Sequence, residues 1–216
     1  MKEIIFTDPH RQKHFDFFRK MDKPHFNICA PVDITTLLSH IKSENLPFTL
    51  TMVYCLSRIA NDIPEFRRRI RGHQVWEHEK VHPSFTIETK PSDVFSFCHV
   101  PFIDDYVTFL QQGRQKVAQV KCNPVFEDEE GQDDLLFLSS FPWVSFTSVE
   151  HAMHCPPVDS VPRIAWGKYY QEADRIKMPL SVQAHHAIVD GRQVGAYFNL
   201  LQKFMDAPDE IKTKNS

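Results

Sequence analysis

From Leu135 to Ala187 the chain carries four successive runs, LLFLSS, WVSFTSV, RIAWGKYY and PLSVQAHHA, dense in β-branched and aromatic residues and parted by Pro, Gly or charge. Runs of this kind read as strands, and four of them demand a broad sheet. Helical spacing fills much of the remainder. Asp8 followed by Pro9 predicts a helix start, with Arg11, His14, Phe15 and Phe18 falling on one face. Residues 25–32 alternate as a strand on Phe26, Ile28, Ala30 and Val32, and Asp33 then caps a helix on Ile34, Leu37, Leu38 and Ile41. Further helices are predicted over 47–63, from Asp104 to about Val120, and at the end of the chain on Val194, Phe198, Leu201 and Met205. Between Val75 and Val100 the pattern predicts a hairpin and two more strands, with Phe85/Ile87 and Phe95/Phe97 pointing one way. Strands and helices intermingle without strict alternation, which favours an α/β chain of the α+β type, a mixed sheet covered by helices, over a doubly wound fold.

The 216 residues show no internal repeat and no Gly/Ser linker, so residues 1–216 read as a single domain. A formal charge of −3 offers no cationic surface for a phosphate backbone, which argues against nucleic acid as a partner. Six glycines occur, none in dinucleotide-binding or P-loop spacing. Eighteen phenylalanines suit an aromatic-lined pocket as well as a Phe-rich core. Five cysteines without CxxC spacing suggest neither a disulfide framework nor a thiolate zinc site. The start, MKEIIFTDPHRQ, lacks the apolar stretch of a signal peptide, and no window is apolar enough to span a bilayer. A cytoplasmic protein is expected. The cationic run Arg67, Arg68, Arg69, Arg71 reads as a solvated strand or turn, and residues 127–134, with six carboxylates in eight positions, as an exposed loop.

The string SVQAHHAIVDGRQVG, residues 181–195, holds the chemistry. Strand alternation sets Val182, Ala184 and His186 on one face and Ser181, Gln183 and His185 on the other, so the adjacent imidazoles meet opposite environments. Asp190-Gly191 reads as the turn that launches the last helix. An imidazole that titrates near neutrality is the natural general base for a hydroxyl proton, which makes His186, at the strand's end, the leading candidate. Other chemistries lack parts. His151-x-x-His154 with Cys155, and His10-x-x-x-His14, do not supply three convergent zinc ligands within one segment, so no metal is expected. There is no GxSxG elbow, the acidic run lacks the order of a calcium loop, and Cys155 has no evident base.

HHAIVDG, together with SSFPWVSF at 139–146, KYYQEADR at 168–175, PLSVQ at 179–183, HFDFFR at 14–19 and VDITTL at 32–37, resembles the chloramphenicol acetyltransferases of the trimeric, acetyl-CoA-using type. HHxxxDG alone also admits the dihydrolipoyl acyltransferase core; the order of the other segments selects the antibiotic-acetylating branch. The resemblance runs along nearly the whole chain and implies two-layer α/β subunits in a homotrimer, with active sites at subunit interfaces. It implies that His186 deprotonates the acceptor hydroxyl for direct attack on the acetyl thioester, its ring oriented by its own backbone carbonyl. Ser139 matches the hydroxyl that donates to the oxyanion of the tetrahedral intermediate. Arg11 and Asp190 match an architectural ion pair, and Lys168 and Tyr169 match coenzyme A contacts. Phe17, Phe18, Phe126, Phe137 and Ala165 match acceptor-site positions, whereas Trp143 reads as packing.

Departures from the family pattern concern the acceptor. Phe18 stands for a tyrosine, Ala165 for a threonine, Phe137 for an asparagine, and VDGRQ for CDGFH. Two of these changes strip hydrogen-bonding atoms and a third swaps an amide for a ring, and a site with fewer polar partners discriminates less steeply among acceptors. Chloramphenicol is the first expectation. A different small alcohol with the same chemistry, or a non-catalytic binder of a hydrophobic small molecule, are the alternatives.

Overall fold

In the computed structural model, which describes residues 1–89, 92–124, 126, 131–153 and 159–211, the elements follow in the order β1 (Lys2–Ile4), α1 (Pro9–Phe18), β2 (His25–Asp33), α2 (Thr35–Ser43), α3 (Phe48–Asp62), β3 (Arg68–Arg71), β4 (Gln74–Glu77), β5 (His82–Glu88), β6 (Phe95–His99), α4 (Tyr106–Cys122), β7 (Leu135–Phe141), β8 (Arg163–Gly167), β9 (Tyr170–Glu172), β10 (Arg175–His185) and α5 (Gly191–Asp206). The helices begin where their capping chemistry predicts. The Asp8 carboxylate accepts from the N–H of His10 at the start of α1, Asp105 does the same for Thr108 in α4, and Asp190 closes a capping box with Gln193 on α5. Asp33 accepts from both the N–H and the hydroxyl of Thr35, so it holds the first turn of α2 although the helix starts at Thr35.

The large sheet runs β2-β10-β8-β7-β5-β6, with β9 also on β10. The β5–β7 and β7–β8 pairs are parallel and the others antiparallel, so the sheet is mixed, as the sequence predicts. A second, three-stranded sheet, β1-β4-β3, takes up the cationic run. Strand alternation sorts the two faces of the large sheet. Met178, Leu180, Val182 and Ala184 of β10 join Leu138 and Ile164 in the core, against helices that include the almost wholly buried α3. Each fully buried Leu, Ile, Val or Met side chain there contributes roughly 1.5–3 kcal/mol. The other face carries Ser181, Gln183 and His185, buried yet polar. Burial of such groups needs partners: the Ser181 hydroxyl donates to Asn27 Oδ1 at 2.7 Å, and Asn27 Nδ2 donates to the Val149 carbonyl at 2.7 Å.

Three expectations change. In the β5–β6 register Phe97 lies opposite Thr86 and Phe95 opposite Glu88, so these two rings sit on the face away from Phe85 and Ile87. Arg69 is 1 % exposed rather than solvated, because its guanidinium donates to the carbonyls of Phe66, Arg68, Asp133 and Leu135. The acidic run does pack at its end: Asp133 accepts from Arg71 at 2.7 and 2.8 Å and meets His78 at 2.9 Å, while residues 127–130 lie outside the described residues. Among the described residues no helix is long and apolar enough to cross a membrane.

Candidate active site

The β10–β2 ladder ends at the pair His185 and His25; one residue on, the His186 N–H donates to the Pro24 carbonyl at 2.9 Å. The chain then turns and Asp190 starts α5, which leaves His186 at the rim. Its ring stacks on Phe18 with centroids 4.0 Å apart and planes at 26°, lies 4.6 Å from Phe26, and meets His14 edge-on at 5.5 Å. The ring is half-buried, and Nδ1 is buried without a hydrogen bond to another residue. The three rings packed around it hold the plane of the imidazole.

The ion pair expected between Arg11 and Asp190 is absent. The Asp190 carboxylate is taken by the helix start, accepting from the Arg192 N–H at 2.8 Å. Arg11 instead donates to the Ala187 carbonyl at 2.9 Å and to His14 Nδ1 at 2.6 Å, and its guanidinium lies 4.6 Å from the centre of the Phe6 ring. Burial and Arg68 lower its pKa, and the Asp190 charge opposes them through space.

His185 is buried, and His25 beside it is half-buried with both ring nitrogens shielded from solvent. His25 and His185 touch at 5.1 Å, and burial pushes each down to about 4, with Arg163 adding to the effect on His25 and His25 adding to the effect on His185. Both nitrogens of His25 are buried without partners, while His185 Nδ1 accepts from the Ala187 N–H at 3.2 Å. Both rings are thus neutral in the fold and basic only once released. Between the unfolded value of about 6.5 and the folded value the unfolded chain binds more protons, so stability is greatest above pH 6.5 and falls with acid by about 1.4 kcal/mol per pH unit per group. Urea midpoints measured from pH 7 to 5 should fall accordingly, and a His185→Asn chain should show a shallower dependence; a flat midpoint would contradict the assignment.

A second group of candidates gathers on the polar face of the sheet. Phe85 pairs with Leu138, so Thr86 and Ser139 follow together on the opposite face. Ser139 pairs with Ala165, Ala165 with Ser181, and Ser181 with Cys29, which completes a row of small side chains across five strands. Above it lies a cavity of about 850 Å³ lined by Ser139, Trp143, Phe48, Phe95, Arg114 and Lys121, among others. Ser139 is half-buried at its floor, and Ala165 is fully buried beside it. Trp143, expected to pack, is 69 % exposed on the cavity wall. Tyr169 lies 5.9 Å from Phe48, and Lys168 next to it is exposed, with its N–H bonded to the Val144 carbonyl. Phe126 closes a three-ring cluster with Phe95 and Phe97, and Phe137 lies 5.2 Å under the Arg163 guanidinium. Phe17 is exposed on the outer side of α1, with its edge against Phe18.

Sequence reading missed Phe48, Arg114 and Lys121 on this cavity and His14 beside His186. Only the crossing of α3 and α4 over the sheet reveals the first three, whereas His14 was visible on the same helix face as Arg11 and Phe18.

Within one chain the two groups do not meet. His186 lies five residues beyond Ser181, which stands in the row of Ser139, a separation of roughly 17 Å along the strand. His154 and Cys155, weighed above as zinc ligands, fall outside the described residues. Among the described residues no three His, Cys, Asp or Glu side chains group as metal ligands.

Comparison with known proteins gives a consistent result. The family model described as chloramphenicol acetyltransferase matches residues 2–202. The chain is 32% identical over 197 residues to a chloramphenicol acetyltransferase from Klebsiella sp, covering 91% of this chain and 90% of that protein. It is 32% identical over 199 residues to one from Escherichia coli, with 91% and 90% covered. Among solved structures, a chloramphenicol acetyltransferase superposes with a TM-score of 0.83 at 25% identity, covering 94% of this chain and 100% of that one. A dihydrolipoamide acetyltransferase of Azotobacter vinelandii superposes with a TM-score of 0.70 at 16% identity, covering 99% and 94%, a likeness of fold alone.

Proposed function

Because the chain belongs to the chloramphenicol acetyltransferase family, we propose that it is an acyltransferase, one domain over residues 1–216, which moves acetyl from acetyl-CoA to a hydroxyl of chloramphenicol through a tetrahedral intermediate. One observation carries the mechanism: the base candidate and the oxyanion donor candidate stand at different levels of the sheet in one chain, roughly 17 Å apart along β10. A homotrimer resolves this, with His186 of each subunit facing the Ser139 cavity of its neighbour.

In that assembly His186 takes the proton of the acceptor hydroxyl as its oxygen bonds to the acyl carbon, and passes it to the sulfur as the carbon–sulfur bond breaks. The Ser139 hydroxyl donates to the acyl oxygen as negative charge gathers there. Acetyl-CoA supplies the acyl group already activated as a thioester. The residues present fit such a co-substrate: the cavity offers Phe48 and Trp143 as apolar walls and Arg114 and Lys121 as cations for phosphates, and Lys168 and Tyr169 lie exposed beside Phe48. The free thiols Cys29, Cys55, Cys98 and Cys122 suit the cytoplasm.

Subunit mixing tests this. Homotrimers of Ser139→Ala should lose about 100-fold in turnover. Co-assembly of equal amounts of Ser139→Ala and His186→Ala chains should then restore about a quarter of wild-type thiol release, because one in four interfaces joins two intact residues. Activity no higher than the average of the two parents would overturn the shared site.

A second reading, a different small alcohol as acceptor, draws on Phe18 and Ala165. The Phe18 ring covers His186 without a hydroxyl, and Ala165 beside Ser139 has none to give. Parallel assays with chloramphenicol and other alcohols separate the two by kcat/KM.

A further inference from the structure

A general base is ordinarily held in place by a hydrogen bond to its second ring nitrogen. In a single chain His186 Nδ1 is buried and no other residue bonds to it. Its orientation depends on the rings around it and on the backbone that carries it. Backbone bonds hold the turn after it, and Arg11 adds the side-chain bond, donating to the Ala187 carbonyl at 2.9 Å. Arg11 in turn is aimed by His14, which lies one helical turn along α1 and meets the guanidinium at 2.6 Å.

We propose that His14 is a positioning residue for the His186 base, acting as the acceptor that fixes the Arg11 guanidinium against the carbonyl of Ala187. The inference rests on the reading of His186 as that base. A guanidinium has donors only and keeps its proton, so His14 Nδ1 accepts and the ring carries its single proton on Nε2. Burial, Arg11 and His186 all act to keep His14 neutral. The other charged groups that bear on the pair are His10 on the same helix, Asp190 at the start of α5, and Arg68 and Glu65 near the guanidinium. A neutral His14 has a further consequence: the imidazolium that forms on His186 during transfer has no second cationic ring 5.5 Å away. Arg11 has no carboxylate bound to it, since Asp190 is engaged in capping, so removal of the His14 nitrogen leaves a half-buried donor unmatched.

Two substitutions separate acceptor from packing. His14→Phe keeps the ring against Phe18 and His186 and removes the acceptor; His14→Asn removes the ring and keeps an acceptor near the position of Nδ1. The proposal expects kcat of the Phe protein to fall by about tenfold or more with KM for acetyl-CoA within about twofold, as lost alignment acts on the chemical step. The Asn protein should regain most of that loss. Near-normal turnover in His14→Phe, or an Asn protein as poor as the Phe protein, makes His14 a packing residue and overturns the inference, and so does loss of the folded trimer in both. A His186→Ala control distinguishes the two levels. If it is inactive while His14→Phe is normal, only the positioning role fails; if it keeps its turnover, the reading of the base fails first.

Discussion

Acetyl transfer by a His186→Ala protein is expected to fall by about 10²–10⁴-fold, the range over which a positioned general base acts. No neighbouring group can substitute. His185 is buried, points to the other face of the strand, and is held near a pKa of about 4, too weakly basic to draw a proton from an alcohol at neutral pH. His14 shares the pocket, but its Nδ1 lone pair is engaged by Arg11. Removing the His186 ring also takes one ring contact from each of Phe18 and Phe26, so folding and assembly need sedimentation and circular dichroism beside the thiol-release assay. A folded His186→Ala protein with near-normal turnover would end the general-base reading.

The second large effect is on stability. Arg69→Met is expected to lower the unfolding free energy by about 3–5 kcal/mol, since it strips the partners from buried carbonyls and leaves them in apolar surroundings. Arg69 reaches Phe66 and Arg68 on its own side and Asp133 and Leu135 across the gap, so it ties the small sheet to the first residue of β7. Its charge survives burial: desolvation lowers the pKa to about 10, still well above neutrality, with Asp133, Asp159 and Asp134 opposing the shift. Methionine matches the side chain as far as Nε and offers no donor. Urea unfolding at fixed protein concentration measures the loss, and a change below about 1 kcal/mol would show that the carbonyls find other partners. Since β7 also carries Ser139, the same substitution should loosen the floor of the cavity.

Elements with strong local signals were legible in the sequence. The N-caps at Asp8 and Asp190 and the apolar spacing of α3 and α5 depend on neighbours within a turn or two, and the structure keeps them. Long-range partners were not legible. Arg69 reads like its neighbours in RRIR, yet one of the three arginines is buried because the strand period turns it inward toward carbonyls some 65 residues away in sequence. The same holds for Arg11, where a carboxylate expected as partner was already claimed by a helix start. Phe95 and Phe97 were misassigned to the face of Phe85 because alternation within each strand was right but the register between strands was not available.

The sequence by itself determined the classes of element, the intermingled order that makes a mixed sheet, and the string that makes His186 a candidate, because spacing and residue type act over a few bonds; Ser139 was a candidate only through the family resemblance. Only the tertiary structure decided that Ser139 shares a row with Ala165 and Ser181, that a cavity stands over it, and that His186 lies outside that row within three aromatic rings. Those relations are set by strand register and by the packing of helices across the sheet, contacts between residues far apart in the chain whose geometry no local pattern encodes.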